Sequence, residues 1–135
     1  LIDEFELTFK NGVVTTAKAK RGLKTLERLL ETDDGAKRLG EVALVPYSSP
    51  ISQSGVLFLS TLFDENAANH VALGSAYRFN VKDGTKMNDK QAAKAGVNSS
   101  LTHVDFMIGS NKMDIDGVAK DGSREAVMRK GEWTF

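Results

Sequence analysis

Cysteine is absent from the 135 residues of this chain, which excludes disulfides and thiolate metal sites. Any metal must therefore be held by imidazole, carboxylate or phenol donors. Proline occurs only 2 times, and no low-complexity tract interrupts the pattern. Neither sign of charge is in excess: 18 Lys+Arg cancel 18 Asp+Glu, which leaves no electrostatic footprint for nucleic acid or for an anionic membrane. No apolar run approaches the length that spans a bilayer, and no signal-peptide pattern opens the chain. A cytoplasmic location is the default expectation. The length suits one domain with a single core.

What is present divides into readable elements. Phe5, Leu7 and Phe9 alternate with polar residues as in a half-buried strand, Asn11-Gly12 is a strong hairpin signal, and Val13 to Ala19 reads as the partner strand. Leu23, Leu26, Leu29 and Leu30 line one face of a helix from about Gly22 to Thr32. Leu39 to Pro46 predicts a short apolar strand containing Glu41, which is open between an exposed strand start and a metal ligand. Val56 to Phe63 is compatible with a strand or a buried helix. Lys82 to Ser100 reads as a polar connection with a short helix over Asp89 to Ala95, either substrate-facing or simply solvated. A further hairpin is expected around Asp121-Gly122, with Asp114 and Asp116 facing water. The fold class predicted is α+β: an antiparallel or mixed sheet with β-hairpins and two or three helices.

Both histidines fall in the stretch from Asp64 to Asp105. His103 and Asp105 are two apart in a strand-like run, so they share a face, with Val104 and Phe106 opposite. They form either an N/O ligand pair suited to zinc, cobalt or manganese, or a hydrogen-bonded pair on a solvated face. Asp64-Glu65-Asn66-Ala67-Ala68-Asn69-His70 reads as a helix capped by Asp64 and stopped at Gly74. This reading puts the metal site between the His70 helix and the His103 strand. Spacing alone makes Tyr77 a core tyrosine.

Three blocks together carry a resemblance to a known family. Gly40-Glu41-Val42-Ala43-Leu44-Val45-Pro46, the run Leu62-Phe63-Asp64-Glu65-Asn66-Ala67-Ala68-Asn69-His70-Val71-Ala72-Leu73-Gly74 followed by Tyr77, and Asn98 to Ser110 around His103-Val104-Asp105-Phe106-Met107-Ile108-Gly109 occur in that order. They resemble the C-terminal region of the aminopeptidase T / aminopeptidase S family of dinuclear metallopeptidases, of the thermophilic metalloprotease type. The likeness covers nearly the whole chain.

The resemblance implies a metal-dependent aminopeptidase that releases N-terminal residues from peptides with a free amino terminus, using water activated by two divalent cations. Zinc or cobalt is expected first, with magnesium or manganese as further candidates. By the same resemblance Glu41 ligates and bridges the cations, and His70, His103 and Asp105 are further ligands. Glu65 and Tyr77 belong to the site, with their division between coordination and catalysis open, and Glu41 or Glu65 carries the proton. A homodimer is also implied. The enzyme reading requires Glu41, His70, His103 and Asp105 to converge; the rivals are a non-catalytic dimerisation or interaction module on the same scaffold and a single-metal structural domain. The family carries another ligating glutamate and an N-terminal domain upstream, neither of which is in these 135 residues. Residues 1–135 are therefore expected to be the C-terminal, metal-binding region of a longer aminopeptidase, inactive or nearly so by themselves. Leu1 at the start and Trp133-Thr134-Phe135 at the end fit the same expectation.

Overall fold

Asn11 and Gly12 stand at positive φ (51° and 74°) and close the turn between β1 (Asp3–Lys10) and β2 (Val13–Arg21). That conformation matches the right-handed twist of the two strands it joins. The computed structural model describes every residue from Leu1 to Phe135. The hairpin places Phe5 opposite Ala19 and Leu7 opposite Ala17, with a register shift between Thr8 and Phe9. Helix α1 (Leu23–Leu30) follows at once and buries Leu26 and Leu30, the expected leucine face. Helices α2 (Pro50–Ser54), α3 (Thr61–Asp64) and α4 (Asp89–Lys94) are short. Helix α4 begins at a reciprocal cap in which Gln91 N–H donates to the Asn88 side chain and Asn88 N–H donates to the Gln91 side chain.

The strands form three sheets: β1-β2; β3 (Leu39–Ala43), β4 (His70–Gly74) and β5 (His103–Met107) in the order β3-β4-β5; and β6 (Ile115–Val118), β7 (Arg124–Arg129) and β8 (Glu132–Trp133) in the order β6-β7-β8. Few helices beside antiparallel sheets make the protein α+β, as the sequence pattern predicts. The hairpin around Asp121-Gly122 is β6-β7, and β8, only two residues long, has no sequence signature.

Contacts group the chain into two units, where length alone suggested one core. The first, Leu1–Glu41 with Ala72–Val104, buries Val14, Leu26, Leu30, Ala36, Leu73 and Ala92. The second, Val42–Val71 with Asp105–Phe135, is centred on Met128, which is completely buried, with Val71 and the polar Asn69 also inside. The division falls within β3, β4 and β5.

Two expectations need correction. The segment carrying His70 is strand, not helix: the helical stretch ends with the turn Glu65–Ala67, and His70 opens β4. β4 is the middle strand and is buried at all five positions, so its sequence is a continuous apolar run that periodicity cannot distinguish from a buried helix. The metal-ligand candidates therefore lie on neighbouring strands and not between a helix and a strand. The second correction concerns Val56 to Phe63, which is neither a strand nor a buried helix. Val56 to Leu59 is irregular and exposed, with Leu59 at φ 57°. The Asp64 carboxylate, which was expected to cap a following helix, instead accepts the backbone N–H of Phe58 (2.8 Å) and Ser60 (3.0 Å). Those donors are thereby diverted from any ladder.

Within the first unit, Asp33 ties the segment before β5 to the turn after α1. Its carboxylate accepts the N–H of Leu101 (2.7 Å), the hydroxyl of Ser100 (2.8 Å) and the N–H of Ala36 (2.8 Å). The Leu101 N–H first, and then the Ser100 hydroxyl, hold this carboxyl below its ordinary value of 3.8. A carboxylate with a lowered native pKa stabilises the fold above its unfolded pKa, and the contribution disappears as pH falls through the native value. Asp33→Asn should lower the melting temperature at pH 7 but change it progressively less below about pH 3.8; a deficit that does not shrink in acid would contradict this assignment. Leu73, 1% exposed, is a purely apolar control, and Leu73→Ala should cost about 2–5 kcal/mol in denaturant unfolding at every pH.

Candidate metal centre

β3 delivers Glu41 and β5 delivers His103, and the Oε2 of Glu41 lies 3.2 Å from the Nε2 of His103. The other ring nitrogen, Nδ1, donates to the Ser75 carbonyl at 2.7 Å. A carbonyl can only accept, so Nδ1 carries the proton and Nε2 is the nitrogen turned to Glu41. A carbonyl on the far ring nitrogen is the arrangement that orients ligating histidines in metal proteins. The Tyr77 ring lies 5.8 Å from the His103 ring at 43° and stacks on Phe79 at 5.0 Å. Tyr77 is thus a half-exposed neighbour of His103 and not the core tyrosine that spacing suggested.

Gly40 explains how β3 brings Glu41 to this position. A Cβ at residue 40 would collide with the carbonyl oxygens of Gly74 and Ser75. Only glycine lets the β3 backbone pass so close to the carbonyl that orients His103. Gly74 N–H in turn donates to the Arg38 carbonyl at 2.8 Å.

His70, at the start of β4, is 3% exposed and donates from Nδ1 to the Ala68 carbonyl at 3.0 Å, again making Nε2 the basic nitrogen. Its neighbour Asn69 is 2% exposed and anchors the strand start. Its Oδ1 accepts Val45 N–H (2.6 Å), its amide meets the sulfurs of Met113 and Met128, and its carbonyl accepts the N–H groups of Ile108 and Gly109 at 2.9 Å each. Asp105 stands two residues after His103 on β5, a strand as the sequence pattern predicts, and alternation along a strand directs the two to one face.

One ligand atom each from Glu41, His70 and Asp105 lies within 4.8 Å of the others. The donors are one imidazole nitrogen and two carboxylate oxygens on the three strands of one sheet. This set fits a divalent cation of the zinc, cobalt or manganese type and lacks the oxygen number that calcium takes. His103 joins it through Glu41. Glu65 lies in the turn Glu65–Ala67 ahead of β4, outside the three-donor group.

Residues 1–133 match the family described as thermophilic metalloprotease (M29). The chain belongs to this family. It is 56% identical over 135 residues to Aminopeptidase AmpS of Bacillus subtilis (strain 168), covering 100% of this chain and 33% of that protein. It is 50% identical over 135 residues to Aminopeptidase PepS of Streptococcus thermophilus, again covering 100% of this chain and 33% of the relative. Among solved structures, wild-type AmpT from Thermus thermophilus superposes with a TM-score of 0.89 at 47% identity, over 99% of this chain and 32% of that one. The chain thus spans about a third of the length of the relatives it matches. Membership of a metalloprotease family agrees with the donor set, and the sequence resemblance named the right family.

Sequence reasoning assigned no role to the residues that support this candidate centre: Asn69, Gly40 and the carbonyls of Ala68 and Ser75. Backbone carbonyls have no sequence signal, and a glycine inside a strand is at most a hint of close backbone approach. Gly40→Ala should lower zinc affinity at least tenfold, measured by calorimetry, because the added methyl must push β3 away from the Ser75 carbonyl. Unchanged affinity would show that the close approach does not position Glu41.

Proposed function

We propose that this chain is the metal-binding catalytic region of an aminopeptidase, and that Glu41, His70, His103 and Asp105 hold its metal. The observation that carries the reading is the convergence of Glu41, His70 and Asp105 within 4.8 Å, with His103 on Glu41, in a chain of the thermophilic metalloprotease family. A scaffold that had lost its chemistry would have no need to keep donor side chains at all four of these positions. That argues against the non-catalytic module.

Glu41 supports a centre of two cations, since one carboxylate oxygen faces His103 while the residue also belongs to the group with His70 and Asp105. Zinc or cobalt suits the mixed nitrogen and oxygen donors best. Bound divalent metal supplies the Lewis acidity that makes water nucleophilic near neutral pH and polarises the scissile carbonyl. The chain's own residues divide the remaining work. Glu41 is committed to His103 and the ligand group, so proton transfer to the departing amine is assigned to Glu65, half-buried in the turn before β4. Tyr77, whose ring packs on His103, is assigned a hydrogen bond to the oxygen on which charge develops. The substrate class is a peptide with a free amino terminus. A cytoplasmic homodimer is the setting proposed for the whole protein, and no helix here is long and apolar enough to cross a membrane.

The chain spans about a third of its relatives' length, and with the further glutamate that the resemblance implies outside this third, the 135 residues alone are proposed to form an incomplete centre. Zinc titration by calorimetry should give binding of about one ion per chain, abolished in His70→Ala/His103→Ala, with little release of N-terminal residues from a short peptide. No specific binding by the wild-type chain would defeat the assignment of the site. Two ions per chain with ready turnover would instead defeat the proposal that the region is incomplete.

A further inference from the structure

His103 is oriented by the Ser75 carbonyl, and Ser75 lies just beyond the end of β4, where no ladder holds it on both sides. Its position is determined by Asn98. The Asn98 side-chain nitrogen donates to the carbonyls of Gly74 (2.6 Å) and Gly35 (2.8 Å), and the Asn98 carbonyl accepts the N–H of Ala76 (2.9 Å). Ser75 is thus bracketed: the carbonyl before it and the N–H after it are both bound to one residue. Its own N–H donates to the Thr102 carbonyl at 2.7 Å, next to His103 in sequence. With these groups held, the one remaining backbone group of Ser75, its carbonyl, has a single direction, and it meets His103 Nδ1.

We propose that Asn98 is a positioning residue for the metal centre, setting the tautomer and ring orientation of His103 through the Ser75 carbonyl. The chemistry requires a carboxamide. Two protons on one nitrogen are needed to bridge two carbonyls; a hydroxyl offers one and a carboxylate offers none. The Gly35 bond also locks this arrangement to the turn that carries Asp33, whose carboxylate holds Ser100 and Leu101 immediately before β5. Both strands that meet at His103 and Ser75 are therefore referenced to the same short turn. The inference rests on reading His103 as a ligand, but it can be tested without metal.

The experiment uses the metal-free chain with 15N-labelled histidine, observed by long-range proton–nitrogen correlation at a pH above the imidazole titration. In the wild type both histidines should show the Nδ1–H tautomer, His103 through Ser75 and His70 through Ala68. In Asn98→Ala, His103 should shift to a mixture containing the Nε2–H form, while His70, which has no bond to Asn98, keeps its signature. Zinc affinity should fall about 10–100-fold, the usual effect of losing an outer partner of a ligand. Asn98→Asp has the same shape without the N–H donors and should shift His103 in the same way, so it carries the test if Asn98→Ala fails to fold. The proposal is overturned if His103 keeps the Nδ1–H form in a folded variant, if both histidines shift together, or if His103 is Nε2–H in the wild type. A wild-type chain that binds no zinc but shows the selective tautomer shift would remove the metal reading and leave the positioning role standing.

Discussion

Two backbone carbonyls, those of Ala68 and Ser75, each accept the Nδ1 proton of a histidine, and the candidate centre depends on them. An imidazole has two inequivalent nitrogens, and whichever donates to the backbone leaves the other as the base. With both Nδ1 atoms committed, Nε2 is the nitrogen left over on each ring; that of His103 lies 3.2 Å from Glu41, and His70 belongs to the group with Glu41 and Asp105. Carbonyls serve well here because they cannot donate, so each of these Nδ1 atoms must carry a proton.

A carbonyl orients a side chain only as firmly as its own peptide is held, which is where much of the surrounding polar structure is used. Asn98 and Asp33 hold the Ser75 and His103 side; Asn69, among the most buried polar residues of the chain, holds the entry to β4 before His70. The buried Asn69 has both ends of its side-chain amide engaged, which matters because a buried polar group without partners costs about 1–3 kcal/mol. Both candidate imidazoles are thereby held by hydrogen bonds to the backbone. Such preorganisation reduces the ordering that metal binding would otherwise have to offset.

The sequence made much of the local structure legible. Asn11-Gly12 marked the first hairpin, the Leu26 and Leu30 spacing marked α1, and Asp121-Gly122 marked β6-β7, because turn chemistry and amphipathic period are local properties. His103 and Asp105 were correctly placed on one strand for the same reason. The His70 segment was misread because a fully buried central strand has no polar face to reveal its period. Val56 to Phe63 is neither of the two elements expected, and within it the Asp64 carboxylate binds the N–H groups of Phe58 and Ser60. Burial is a property of neighbours, and neither neighbour was visible from within the segment.

By itself the sequence determined the donor chemistry, the α+β class and the family. With no cysteine, only nitrogen and oxygen donors exist, and three ordered blocks of residues resemble one family of metallopeptidases over nearly the whole chain. Only the tertiary structure decided which donors meet and what aims them. Glu41 lies 3.2 Å from His103, and ligand atoms of Glu41, His70 and Asp105 fall within 4.8 Å of one another, although these residues are far apart in sequence. The aim comes from the carbonyls of Ala68 and Ser75 and from the missing Cβ of Gly40. Strand pairing is long-range and carbonyls are common to every residue, so neither leaves a local trace in the order of amino acids.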